Sequence, residues 1–266
     1  MSAEDAYRPC PACGSANAVP LPALAPPPWR IGRCASCDFV FLLNPVDYSA
    51  LEQEYAWERT YVAEDVAREA ARGPVRRLAR RARVLGYKLR GQRAFRYLSL
   101  LEPGPTLEIG CADAVRVTPP FTPYGIELSK ALATRADEKM RALGGYCLQG
   151  AGAERIRDFP DGFFTGVLMH SYLEHEVRFA EVLAQTFRVL APGGRAFIRV
   201  PNFSSVGRRL HGARWPGFRH PDHVNYFTPG TLRRAVEHAG FRYKLVNRHK
   251  IWLDDNIQAL AIKPAA

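Results

Sequence analysis

The chain has 266 residues, 47% of them hydrophobic and 24% charged, the balance of a folded protein rather than of a disordered tail or a fibre. No apolar run is long enough to span a bilayer, and the opening "MSAEDAYRPC" has no basic-then-apolar export pattern, so the expected location is the cytoplasm. A formal net charge of +11 admits nucleic acid, an anionic membrane surface or phosphorylated substrates as partners.

The first element is a cysteine framework. "CPACG" supplies Cys10 and Cys13, and "CASCD" supplies Cys34 and Cys37. Each Cys-x-x-Cys turn bends two thiolates toward one ion, and four thiolates complete a tetrahedral zinc site. The twenty residues between the pairs are rich in proline and suit an extended ribbon loop. Disulfides are the alternative, and a reducing cytosol argues against them. A closed four-thiolate site leaves no coordination position for chemistry, so this zinc ribbon, residues 1–45, is structural. Cys111 and Cys147 stand apart, at or near predicted strands, as ordinary buried thiols.

Residues 46–100 read as a helical linker or lid broken at Gly73-Pro74. Leu78, Ala82, Leu85 and Leu89 repeat at helical spacing, which puts the arginines on the other faces. Eleven basic residues from Arg68 to Arg96 face one acid, Glu69. A solvated helix face is the usual reading of such a run; a binding face for phosphate or peripheral anionic membrane is the alternative.

Residues 101–266 alternate strands and helices. "TLEIG", "PYGIE", "YCLQG", "FFTGVLMH" and "RAFIRVPN" read as strands. "SKALATRADEKMRALGG" is a helix capped by Ser129 and ended by Gly144. "RFAEVLAQTFRVLAPGG" buries Phe179, Val182, Leu183, Phe187 and Leu190, and stops at Pro192-Gly193-Gly194. "TPGTLRRAVEHAGF" opens on Thr228 and Pro229 and closes at Gly240. "RYKLVN" and "NIQALAIK" can pair antiparallel. The alternation predicts an α/β fold: a doubly wound Rossmann-like sheet with an antiparallel last strand, beside the small ribbon. Its ligand would lie beyond the carboxyl ends of the strands, where "GCADA", "GIE" and "LMHSYLEH" fall.

From Leu107 to Gly240 the chain resembles class I S-adenosylmethionine-dependent methyltransferases. The pieces that carry the resemblance are "LEIGC", "GIELS", "FFTGVLMHSYLEH", "RVLAPGGRAFIRVPN" and "YFTPGTLRRAVEHAGF", in that order. The resemblance implies that Glu108 and Gly110, with Ala112, hold the methionyl end of the cofactor. It implies that Glu127 takes the ribose hydroxyls, a task suited to a carboxylate that accepts two hydrogen bonds. Ala153 and Glu154 would flank the adenine, and His170 would line the cleft. The chain departs from the family at Ala112 and Ala114, where glycine is usual, and at Thr165, where aspartate is usual. "CADAVRVTPPFTP" also leaves room for no more than a turn of the helix that normally follows the glycine loop, because of its prolines.

"WPGFRHPDHVNYFTP" resembles the His-x-x-His-x-x-Tyr-Phe segment of bacterial sugar C-methyltransferases, which also carry a four-cysteine zinc module. The resemblance maps their base to His223, with His220 beside it, and imidazole suits proton abstraction near neutral pH. Those enzymes have a further C-terminal domain beyond the length of this chain, so the expected acceptor is a sugar or other small-molecule hydroxyl. Trp215 and Phe218 would stack on a sugar, and Arg208, Arg209, Arg214 and Arg219 would hold a nucleotide or lipid diphosphate. Glu174 and His175, in "YLEH", have a related pair in ubiquinone-pathway O-methyltransferases that takes part in a metal site. That site's extra acid falls on Ser171, so no metal is carried over, and His175 is kept as a candidate catalytic residue. The expected function is methyl transfer from S-adenosylmethionine to a small-molecule acceptor. The alternatives are a methyltransferase-fold scaffold without catalysis and an RNA methyltransferase, whose binding would weaken steeply with salt.

Overall fold

In the computed structural model, which describes residues 7–46, 97–113 and 116–265, the strand–helix alternation builds a seven-stranded mixed sheet. The predicted basic helix lies almost wholly in 47–96, outside the described residues, and so does Ala114. The chain divides into two units, residues 1–46 with 101–266, and residues 47–100. No helix among the described residues is long and apolar enough to cross a membrane.

The first three strands, β1 (Ala18–Pro20), β2 (Ile31–Cys34) and β3 (Val40–Leu42), form an antiparallel ribbon. Five parallel strands follow: β4 (Pro105–Ile109), β5 (Thr122–Glu127), β6 (Tyr146–Gln149), β7 (Phe164–His170) and β8 (Leu190–Pro201). Helices α1 (Lys130–Arg141), α2 (Gly152–Arg155) and α3 (Phe179–Val189) connect them. Beyond β8 come α4 (Val206–His211), β9 (Asn225–Tyr226), α5 (Pro229–His238), β10 (Arg242–Leu245) and β11 (Asn256–Ile262). The large sheet has the order β10-β11-β8-β7-β4-β5-β6, with β11 antiparallel to both neighbours.

Local chemistry explains the boundaries. The Ser129 hydroxyl accepts from the Leu132 amide and starts α1, and Gly144 turns the chain out at φ +85°. Thr228 and Thr231 form a reciprocal capping box at the start of α5, with Pro229 in the first turn. Helix α3 ends at Val189, earlier than the Pro-Gly-Gly stop. Pro192 has no N–H and biases the residue before it toward extended backbone, so Leu190 already pairs with Phe164 of β7. No helix forms among the described residues between β4 and β5, as the prolines there require.

Leu107, Ile109, Val167, Met169, Ile198 and Val200 on the central strands are at most 1% exposed and hold the sheet between its helical layers. The ribbon shares this core: Phe39 packs on Phe179 and Phe227 at ring-centroid distances of 5.3 and 5.2 Å. Strand β9 then pairs with β3, making a second sheet of order β1-β2-β3-β9. This pairing fixes the segment that carries His220 and His223 against the ribbon.

Candidate functional site

The chain runs β4, β5, β6 to one side and returns to β7 on the other, so a crevice opens at the carboxyl ends of β4 and β7. The two strand ends are unusual. Ala112 after β4 and Ser171 after β7 are left-handed at φ +51° and +58°, a conformation rare for residues with a Cβ and concentrated at functional sites. Gly110 is also left-handed, at φ +71°, and a Cβ there would lie 3.0 Å from the Tyr172 ring.

Glu108 is wholly buried on β4. Burial pushes its carboxyl up to about 7 against the pull of Arg116, whose guanidinium bonds one carboxylate oxygen. The other oxygen, Oε2, has no hydrogen-bond partner among the described residues. An orphaned buried acceptor of this kind fits a cationic ligand group such as the methionyl ammonium of S-adenosylmethionine. Glu127, at the end of β5, accepts from the Ala112 amide at 2.8 Å and the Ser129 amide at 3.0 Å. It therefore holds the loop in its left-handed turn. A carboxylate offers about four acceptor positions, so this role and a ribose contact are compatible.

Ala153 is buried in α2, whereas Glu154 is exposed and pairs with Arg178 at 3.6 Å. Next to Ala153, a Cβ on Gly152 would sit 2.2 Å from the Tyr172 hydroxyl, so a larger residue there would have to displace the Tyr172 ring. The Tyr172 hydroxyl donates to the buried Glu176 carboxylate. Thr165 bonds the Glu102 and Pro105 carbonyls at 3.1 and 3.2 Å; it ties the start of β7 to the segment before β4.

The histidines gather at the same end of the sheet. The Glu174, His175 and His223 ligand atoms lie within 4.8 Å of one another, close enough to share a proton or a cation. The two imidazoles meet edge to face at 4.6 Å. His175 Nδ1 faces the Asp222 carbonyl at 3.0 Å, and His223 Nδ1 faces the Gly217 carbonyl at 2.8 Å. A carbonyl only accepts, so each ring carries a proton on Nδ1, and the neutral tautomer of each would present the Nε2 lone pair that a general base needs. Burial, then Arg219, brings His175 down to about 4, and burial pushes Glu174 up to about 8. His220 is lowered by burial and lies 3.5 Å from the Tyr226 hydroxyl, which donates to the His223 carbonyl at 2.8 Å. His170 ends β7 at this same edge: burial, then Arg199 and Arg116, hold it down to about 3. Arg199 in turn donates to Ser171 at 2.8 Å and acts on Glu174.

Several expectations for the acceptor side change. Trp215 is only 3% exposed and packs edge to face on Phe218 and Phe203, so it builds the small core beside β9 instead of a sugar platform. Arg208 stacks on Phe203 at 4.3 Å, and Arg219 pairs with Asp222 at 3.5 Å. Arg209 and Arg214 stay exposed.

The four ribbon cysteines converge, with Cys10–Cys37 and Cys13–Cys34 sulfurs each 3.6 Å apart and all four within 4.8 Å. Zinc–sulfur bonds of about 2.3 Å place tetrahedral sulfurs roughly 3.8 Å apart, so the donor set fits zinc. The two knuckles are copies: Gly14 donates to Cys10 O and Asp38 to Cys34 O, each from a left-handed residue four positions on. Against burial, the Ser36 and Cys37 amides and neighbouring thiols bring Cys34 down to about 7. The Cys111 sulfur, after β4, and the Cys147 sulfur, on β6, lie 3.7 Å apart.

Sequence reasoning missed Arg116, Tyr172, Arg199 and Asn225. Asn225 is buried; its Nδ2 donates to Leu173 O and Glu176 O at 2.8 and 2.7 Å and so clamps the "YLEH" turn. These contacts join segments about 50 residues apart and leave no local pattern, although a buried asparagine before the Tyr-Phe pair is a signal of sorts.

A family model described as a methyltransferase domain matches residues 76–246, well over half of the chain. No curated protein matches. Among solved structures, a SAM-dependent methyltransferase of Archaeoglobus fulgidus aligns with TM-score 0.53 at 17% identity, covering 64% of this chain and 91% of its own. A chain of the complex between a methyltransferase and its activator from Haloferax volcanii aligns with TM-score 0.50 at 16% identity, covering 73% and 99%. At such identity these likenesses speak for the fold. Crevice, strand order and family model agree, and the chain belongs to the methyltransferase domain family, with the fold of its S-adenosylmethionine-dependent members.

Proposed function

We propose that the protein transfers a methyl group from S-adenosylmethionine to the hydroxyl of a small molecule, with a sugar as the acceptor class. The observation that carries this reading is His223: buried, with its proton held on Nδ1, and set beside Glu174 and His175 at the cofactor end of the sheet. S-adenosylmethionine, when bound, supplies an electrophilic methyl group. Glu108, Gly110, Ala112 and Glu127 would hold it, with Ala153 at the adenine side. The chain's own task is to align an acceptor oxygen with that methyl and to remove its proton. His223 Nε2 accepts the proton, while His175 keeps the neighbouring position uncharged. In the ribbon, Cys10, Cys13, Cys34 and Cys37 would hold a structural zinc.

One observation favours a second reading, a scaffold without catalysis: Arg116 already bonds Glu108, the acid that the cofactor's ammonium would use. The test is His223→Ala assayed with tritiated S-adenosylmethionine against nucleotide-linked and lipid-linked sugars. The proposal expects wild-type turnover, with kcat lower by roughly 10²- to 10⁴-fold in the variant and unchanged cofactor affinity. Full activity in the variant would refute the base assignment. Cofactor uptake without transfer to any acceptor would favour the scaffold.

A further inference from the structure

We propose that helix α4 and the turn between β10 and β11 form a docking surface for an anionic lipid bilayer. The inference goes beyond methyl transfer, and binding to the bilayer does not depend on that reading.

Three large apolar side chains are left in solvent together: Leu210 at 80% exposure, Trp252 at 60% and Leu253 at 61%. The two segments meet where the Val206 amide that opens α4 donates to the Trp252 carbonyl at 2.9 Å, and Leu210 lies one turn further along α4. Among the described residues, the other exposed large apolar side chains stand elsewhere. Leu143 and Phe163 precede β6 and β7, at the opposite end of the parallel strands, and Val19 is in the ribbon.

Charge surrounds the apolar residues. Arg209, His211 and Arg214 are exposed on the α4 side, and Arg248, His249 and Lys250 on the turn. The acids of the turn are engaged locally: Asp254 with Asn247 and Lys250, and Asp255 with the Ser205 hydroxyl. An apolar tip with tryptophan, rimmed by basic side chains, matches the chemistry of an anionic headgroup layer. A second copy of the chain fits worse, since an isologous contact would press one basic rim against another.

The position adds a consequence. Asn256 pairs with Pro201, so the turn stands at the end of the sheet where β4, β5 and β7 deliver Glu108, Glu127 and His170. A bilayer held there faces the end of the sheet that carries the cofactor crevice, where a lipid-linked acceptor would arrive.

The experiment is sedimentation of the full-length, zinc-loaded protein with vesicles of phosphatidylcholine, with and without one third phosphatidylglycerol. The proposal expects binding to the anionic vesicles only, weakening as salt rises. Trp252→Ser with Leu253→Ser should abolish it, and Arg209→Ala with Arg248→Ala should weaken it about fivefold per residue removed. All four positions are exposed, so unchanged unfolding temperatures confirm intact folding. Wild-type protein that ignores anionic vesicles would overturn the proposal. So would full vesicle binding by the Trp252/Leu253 variant, which would place the contact elsewhere on the chain. A concentration-dependent dimer lost in that variant, without vesicle binding, would assign the surface to a second copy.

Discussion

Glu108→Gln probes the buried acid proposed to meet the cofactor's ammonium. Glu108 is wholly buried and titrates near 7, against 4.5 for an unburied glutamate. Below pH 4.5 both folded and unfolded chains hold this proton, so the group is neutral to stability. Between 4.5 and 7 only the folded chain holds it, and stability falls as pH rises, by about 1.4 kcal/mol per pH unit. Above pH 7 both states have lost it, and the folded protein carries a constant penalty of about 3 kcal/mol. Glutamine cannot titrate, so the stability of Glu108→Gln minus that of wild type should climb with that slope from pH 5 to 7, then level off. Using the difference removes the offset from the altered Arg116 contact and the contributions of every other titrating group. The assay is urea unfolding at pH 5, 6, 7 and 8 in zinc-containing buffer. Ligand binding gives the same proton a second readout: an ammonium beside Glu108 needs the carboxylate, so cofactor affinity should weaken toward tenfold per pH unit below 7. Parallel stability curves for variant and wild type would refute the reasoning, because Glu108 would then titrate as though exposed.

Two further outcomes follow from packing. Cys34→Ser should abolish zinc retention and release β2, β3 and β9 together, since β9 depends on β3. Hydrogen exchange should show lost protection at Ile31–Leu42 and Asn225–Tyr226 with β4 and β7 still protected; a β9 that stays protected would contradict the shared sheet. Asn225→Ala takes the side-chain donor from the Glu176 carbonyl and leaves the Leu173 carbonyl with the long 3.4 Å bond from the Glu176 amide, and should cost about 1–3 kcal/mol by denaturant unfolding. A loss under about 0.5 kcal/mol would show that the clamp does not matter.

The sheet was legible in the sequence because its signals are local. "TLEIG" and "FFTGVLMH" are apolar runs closed by a turn, and Ser129 and Thr228 are caps whose partners lie three residues on. The placement of Glu108 near the end of β4 and of Glu127 at the end of β5 was legible for the same reason, since strand ends are marked by the turn that follows them. What the local pattern does not encode is which distant side chain answers each group. Arg116 on Glu108 and Asn225 on the Leu173–Glu176 turn could not be read, and Trp215, aromatic in a loop, looked available to a ligand although it fills the core around Phe203. The end of α3 was misplaced because Pro192 acts on the backbone before it, so the helix yields to strand pairing at Leu190.

The central claim is that the crevice after β4 still takes its cofactor. Calorimetric titration of the zinc-loaded protein with S-adenosylmethionine and its demethylated product, in parallel with Glu127→Ala, tests it most directly. The wild type should show one saturable site of micromolar affinity, and the variant, which releases the Ala112 turn, should lose that binding. A folded wild-type protein that takes up no cofactor at millimolar concentration would contradict the account and leave a methyltransferase fold used for binding alone.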